Sequence, residues 1–173
     1  MGKLILISGA NSSGKSRYAE SVVAQTEGRR YYIATMSVCS EENERRVEKH
    51  RRQRQGLAFE TLECPHQVGT AAVTPEGIVL LEDVSNLLAN NLFETGKDTA
   101  AVLADIEALQ ARCRLLVAVT ISGLREEDYD GETAAYIQGL NALNRQLMSR
   151  ASAAVAMREQ QPVYLKGRIY DCI

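Results

Sequence analysis

Eight residues near the amino terminus, Gly9-Ala10-Asn11-Ser12-Ser13-Gly14-Lys15-Ser16, have the types and spacing of a phosphate-binding loop, G-x-x-x-x-G-K-S. Glycines at the two ends let backbone N–H groups approach a polyphosphate closely. Lys15 would reach the β- and γ-phosphates, and the Ser16 hydroxyl would sit on Mg²⁺. The context supports this reading over a turn that merely caps a helix. The apolar run Leu4-Ile5-Leu6-Ile7 immediately upstream predicts a buried strand. A helix beginning near Lys15 would aim its positive dipole end at the anion.

A second constellation lies in a basic stretch. Residues 40–44 read as a helix start, a Ser40 cap followed by acids in the first turn. On that helix Arg46, His50 and Arg54 recur at intervals of four and share one stripe. Cationic neighbours disfavour imidazolium, so His50 is expected to be neutral at pH 7. A neutral imidazole is a nucleophile toward phosphorus, and arginines bind the surrounding anionic oxygens. From charge pattern alone, a solvated basic helix, or one that touches nucleic acid, is the favoured reading of the stretch. His66, beside Pro65, has no such setting and reads as a helix-start residue.

These groups need a scaffold. Apolar runs predict strands at Leu4–Ser8, Arg30–Thr35, Ala58–Leu62, Ile78–Glu82 and Leu115–Ile121, with weaker ones at Ala153–Met157 and Pro162–Leu165. Helical patterns cover Lys15–Gln25, Ser40–Arg54, Val84–Phe93, Thr99–Arg112 and Glu132–Ala151. The unbroken apolar run at 115–119 suits a strand covered on both faces. Alternating strands and helices imply right-handed crossovers and a mostly parallel sheet flanked by helices. The expected fold is therefore α/β, P-loop NTPase-like and RecA-like, as one domain over residues 1–173. Ligands on such sheets collect at the carboxyl ends of the strands, where the phosphate loop lies. Acid-rich 123–131 reads as a mobile surface loop.

Composition narrows the function. A net charge of −2 and only 5% aromatic residues argue against a nucleic-acid platform. No run approaches the length of a membrane span, which points to the cytoplasm. Cys39, Cys64, Cys113 and Cys172 are scattered, as idle thiols in a reducing compartment would be.

Several matches then accumulate in order: the phosphate loop, Tyr32-Ile33-Ala34-Thr35, acids at 41–44, Arg46-Val47-x-x-His50-x-x-x-Arg54, the Phe59–Glu63 segment, and Leu80-Leu81-Glu82-Asp83. Farther on come Asn144-Arg145-Gln146-Leu147, Ala151–Val155 and Lys166-Gly167. The chain resembles the bifunctional adenosylcobinamide kinase / adenosylcobinamide-phosphate guanylyltransferase family of cobalamin assembly. The resemblance implies phosphorylation of adenosylcobinamide by a nucleoside triphosphate, ATP or GTP, with Mg²⁺. It also implies transfer of GMP from GTP to the phosphorylated corrinoid through the residue matching His50. It places Lys15 and His50 in catalysis. Thr35, Arg46, Arg54, Glu63 and Glu82 would join residues 9–16 around the nucleotide, with Ser16 and Glu82 at the metal. Asp83 is an alternative to Glu82. Arg54 would bind phosphate and Glu63 the guanine N–H groups, and a homo-oligomer, a trimer among the options, is implied.

One departure stands out. After its fifth strand the family usually carries an Asn-Glu-Val-Gly-type motif, whereas this chain reads Thr120-Ile121-Ser122-Gly123-Leu124-Arg125. Either Glu126 or Glu127 would have to supply the missing carboxylate, or one half-reaction is weakened. A simple small-molecule kinase with an incidental His50, and a nucleotide-gated nucleic-acid module, are the competing readings.

Overall fold

A computed structural model describes residues 2–36 and 41–173. Seven strands form one sheet in the order β3-β2-β4-β5-β1-β6-β7. They are β1 (Lys3–Gly9), β2 (Arg30–Ala34), β3 (Phe59–Glu63), β4 (Ile78–Glu82), β5 (Leu115–Ile121), β6 (Ala153–Arg158) and β7 (Gln161–Lys166). All neighbours pair in parallel except β6 and β7, which form an antiparallel hairpin. The helices are α1 (Lys15–Ala24), α2 (Glu41–Gln53), α3 (Val84–Asn90), α4 (Thr99–Ala111) and α5 (Gly131–Arg150).

Strand periodicity splits the core into two layers. Leu4, Leu6, Ile33, Val79, Leu81, Leu116 and Ala118 pack on one face, against α3, α4 and α5. Ile5, Ile7, Tyr32, Leu80, Val117 and Val119 pack on the other, against Ala19, Val22 and Val23 of α1. Helix α5 buries Ile137, Leu140, Leu143 and Leu147, a stripe at intervals of three and four. The apolar strands therefore fix the sheet from both sides, and the carboxyl ends of the six parallel strands β1–β6 come out at one edge.

Element boundaries differ from expectation where local chemistry intervenes. Strand β3 starts at Phe59 rather than Ala58, because Ala58 is in the left-handed region with φ 56°. The helix expected over Val84–Phe93 changes to a wider π turn at Asn91–Thr95. Buried Asn91 there donates through Nδ2 to Leu87 O and His66 O, both at 2.9 Å. The His66 reading is corrected too: no helix starts there, and the ring instead bonds the Glu94 carboxylate from a loop. The 123–131 segment is at the surface, as expected, but it is anchored. Leu124 packs on the core and its carbonyl accepts from Asn141 Nδ2 at 3.0 Å. The expected Ser40 cap and Cys39 lie outside the described residues. Cys64, Cys113 and Cys172 are free thiols, and burial pushes Cys113 up to about 11. Among the described residues no helix is long and apolar enough to cross a membrane.

Candidate active site

Strand β1 ends in the phosphate loop, which turns into α1. Gly14 occupies the cap position at φ 92° with no capping side-chain hydrogen bond, which leaves the first-turn N–H groups without a side-chain cap. Only glycine holds that conformation without strain. A Cβ on Gly9 would come 2.5 Å from Ser13 Oγ, so the loop also closes too tightly there for a side chain. Lys15 is 8% exposed and its Nζ donates to Ala10 O at 2.7 Å. Burial lowers its pKa, while Asp83 and Glu82 act in the opposite direction.

Across β5 from β1, strand β4 delivers Glu82 and Asp83. Ser16 Oγ donates to Glu82 Oε1, and Glu82 Oε2 is buried with no hydrogen-bond partner. Burial, reinforced by the Asp83 carboxylate, pushes Glu82 up to about 8. Asp83 is held differently. Its Oδ1 caps α3 by accepting from Asn86 N–H at 2.7 Å. Burial raises its pKa, and the Asn86 N–H, Lys15 and Arg46 oppose that rise. Of the two acids, Glu82 has the oxygen without a partner.

Helix α2 brings the imidazole. His50 Nδ1 is buried and unpartnered. Its pKa is lowered mainly by burial and then by Arg54, Arg46 and Lys49. The neutral form expected from the sequence is thus favoured, with desolvation outweighing the charges credited there. Arg54, just past the helix end, places its guanidinium 3.8 Å from the Tyr32 ring centroid and donates to Thr61 Oγ1 at 3.3 Å.

These pieces meet. One cavity of about 540 Å³ is lined by Asn11–Ser16, Arg46, His50, Arg54, Glu63, Glu82 and Asp83. Its floor includes Ala34, Glu63, Glu82 and Ile121, the last residues of β2, β3, β4 and β5. A larger depression of about 870 Å³ runs along the end of α2 and the β3 edge, but it contains no phosphate-loop residue. The smaller cavity is where the chemistry can occur.

Three expected residues lie elsewhere. Gly9 and Ala10 line a separate hollow of about 700 Å³ on the α5 side of the loop, which shares Ser13 with the main cavity. Thr35 is fully buried and corrects its expected nucleotide contact. Its Oγ1 accepts from Asp83 N–H at 2.8 Å and lies 2.9 Å from Asp83 O, so it fixes the β4 terminus instead. Neither Glu126 nor Glu127 lines the cavity; both are exposed, and Glu127 pairs with Arg125. The departure at 120–125 is therefore uncompensated.

Sequence reasoning missed Glu20, Gln53 and Gln160. Buried Glu20 accepts from Gln53 Nε2 at 2.8 Å, tying α1 to α2. Gln160 reaches the phosphate loop from the β6–β7 turn. No spacing rule links residues so far apart. Only Glu20, an acid on the apolar side of α1, carried a local signal.

A glycine-rich loop between β1 and α1, facing an acid at the end of β4 with β5 interposed, defines a phosphate-loop nucleotide-binding protein of RecA-like architecture. Solved structures agree on the fold. An ATPase of a bacterial type III secretion system superposes with a TM-score of 0.58 at 10% identity, over 92% of this chain and 52% of that one. A protein of Pyrococcus horikoshii OT3 gives 0.56 at 8% identity, over 96% of this chain and 87% of that one.

Sequence similarity narrows this to a family. A family model described as cobinamide kinase / cobinamide phosphate guanyltransferase matches residues 5–165. The bifunctional adenosylcobalamin biosynthesis protein CobU of Escherichia coli (strain K12) is 32% identical over 124 residues, 64% of this chain and 68% of that protein. The protein of the same name from Salmonella typhimurium (strain LT2) is 30% identical over 110 residues, 62% of this chain and 60% of that protein. The chain belongs to the cobinamide kinase / cobinamide phosphate guanyltransferase family, enzymes of phosphoryl and nucleotidyl transfer.

Proposed function

We propose that this enzyme works in cobalamin biosynthesis by two successive transfers in the cavity between the phosphate loop and α2. In the first, a nucleoside triphosphate phosphorylates the terminal hydroxyl of the aminopropanol arm of adenosylcobinamide. In the second, a ring nitrogen of His50 attacks the α-phosphorus of GTP. The bond from that phosphorus to the bridging oxygen breaks, and pyrophosphate leaves. The phosphate of the corrinoid then displaces the imidazole, giving adenosylcobinamide-GDP and restoring His50. The observation that carries this reading is that His50, whose Nδ1 is buried and unpartnered, lines the same cavity as Lys15 and Ser16.

Each residue has a physical task. Lys15 and the N–H groups of residues 14–16 hold the phosphates in line and oppose the charge that develops on transfer. Arg46 and Arg54 neutralise oxygens near the attacked phosphorus. Glu63, which lines the cavity, would accept from guanine N–H groups. The orphaned Glu82 Oε2 and the Ser16 hydroxyl beside it are oxygen donors of the kind that would hold Mg²⁺. Bound there, the ion would draw charge from the transferring phosphoryl group. The reaction consumes nucleoside triphosphates and so belongs in the cytoplasm. A homo-oligomer, a trimer among the options, remains part of the proposal, and light scattering on the purified chain tests it.

A second reading, retention of only one half-reaction, is favoured by the absence of a carboxylate from residues 120–125 at the cavity. One assay addresses both. Incubation with GTP labelled at the α-phosphate and Mg²⁺ is expected to label the protein in an acid-labile, alkali-stable form, and His50→Ala is expected to abolish it. Equal labelling after that substitution overturns the histidine mechanism. Label that forms but never passes to phosphorylated corrinoid supports the one-step reading.

A further inference from the structure

The turn joining β6 to β7 consists of Glu159 and Gln160, with φ of 50° and 67°. A two-residue hairpin turn with both central residues left-handed ordinarily takes Asn-Gly, because a Cβ on that backbone crowds the following carbonyl, a cost that Gly lacks and that Asn offsets by local hydrogen bonding. Closing the hairpin alone does not call for Glu-Gln. Gln160 has another engagement. Its Nε2 donates to the Ser12 carbonyl at 2.6 Å, and its Oε1 lies 2.7 Å from where a Cβ on Gly14 would sit. The amide orientation is set by this contact, since a carbonyl can only accept. Gln160 also lines the cavity that holds Lys15 and His50.

The backbone it grips is the functional part of the loop. Ser12 and Gly14 have φ of 59° and 92°, while Ser13 between them does not have positive φ. Such alternation of hand makes successive N–H groups converge into an anion-binding concavity. In a planar trans peptide the C=O and N–H point in opposite directions. Holding the Ser12 carbonyl outward on Gln160 therefore turns the Ser13 N–H inward, where it meets Ala10 O at 3.3 Å. That same carbonyl receives Lys15 Nζ.

We propose that Gln160 is a positioning residue for the nucleotide: it latches the Ser12–Ser13 peptide so that the loop presents its N–H groups to phosphate. The unfavourable turn is retained because that backbone aims the amide at the loop. This rests on the phosphate-loop reading above.

The test uses the full chain, fluorescently tagged GTP with Mg²⁺ as the probe, and Tm measured without nucleotide. Gln160→Ala should weaken binding about tenfold, equivalent to about 1.4 kcal/mol. Gln160→Glu, which cannot donate and brings a negative charge to the phosphates, should weaken it further, with part of that loss relieved by salt. The double variant E159N/Q160G should raise Tm while still weakening binding about tenfold. A purely structural role cannot move those readouts in opposite directions. Unchanged affinity in the double variant, or affinity and Tm falling together, overturns the inference alone. Failure of the wild type to bind the probe overturns the phosphate-loop reading and the inference with it.

Discussion

The phosphate loop and the α2 helix face each other across one cavity, yet they are held in opposite ways. The loop hangs between β1, where six of seven residues are buried, and α1, which buries Lys15, Ala19, Glu20, Val22 and Val23. Helix α2 buries no residue at all. It is secured by Gln53 on Glu20, by Arg54 over Tyr32 and on Thr61, and by a 3.8 Å pair between Arg51 and Glu63. One side of the site is fixed by apolar packing that is cooperative with the whole sheet. The other is fixed by a few polar contacts. Substitutions on the first side should disturb folding as well as chemistry, whereas those on the second should disturb chemistry with little global cost.

The largest test of this contrast is Lys15→Ala. Phosphoryl transfer should fall by about 10³-fold, because the loop loses its one side-chain cation on the γ-phosphate. Steady-state kinetics with either nucleoside triphosphate measures it. Arg54→Ala comes next. It removes a stacked guanidinium worth about 1–2 kcal/mol and frees the end of α2. Covalent GMP labelling should drop about tenfold, and phosphoryl transfer should change far less. Equal losses in both reactions would erase the distinction between the two sides.

Glu20→Gln probes the seam between them. Burial raises the Glu20 pKa above 4.5 despite Gln53, Arg54 and Arg17, and its Oε1 has no partner. Between 4.5 and that raised value the folded state binds more protons than the unfolded one, so stability falls as pH rises through the window. The amide keeps an acceptor for Gln53 and removes the charge. Thermal melts should find the variant more stable by about 2–4 °C at pH 8, with a smaller difference at pH 5. The smallest effect concerns His50. Its pKa lies below the ordinary 6.5, so the rate of GMP labelling should change less than about twofold from pH 7 to 8 and decline only on the acid side. A midpoint above 7 would mean the cationic and buried setting is wrong.

Much of this fold could be read in advance because its cause is local. Strands β1, β2, β4, β5 and β6 are largely apolar runs, whereas β3 and β7 at the two sheet edges are mixed and mostly exposed; the phosphate loop is a contiguous string. The stripe of Arg46, His50 and Arg54 is visible, but its charge pattern favours a solvated helix, and the family resemblance is what singles out His50. What escaped notice depends on tertiary proximity. Thr35 lies beside the loop-facing strand ends, but pairing of β2 with β4 turns its hydroxyl to the Asp83 backbone. Gln160 acts on a residue 148 positions away. The π turn at Asn91 depends on an accepting carbonyl from His66, which no periodicity encodes.

The cavity floor takes one terminal residue from each of β2, β3, β4 and β5. A sheet assembled this way separates what must be conserved in volume from what is free to vary in chemistry. The loop after β5 can lose an acid without loosening the strand beneath it. Thr120 remains fully buried there and donates to Asn144 Oδ1 at 2.7 Å. Catalytic repertoire in such a scaffold can drift one strand tip at a time while the protein keeps its shape.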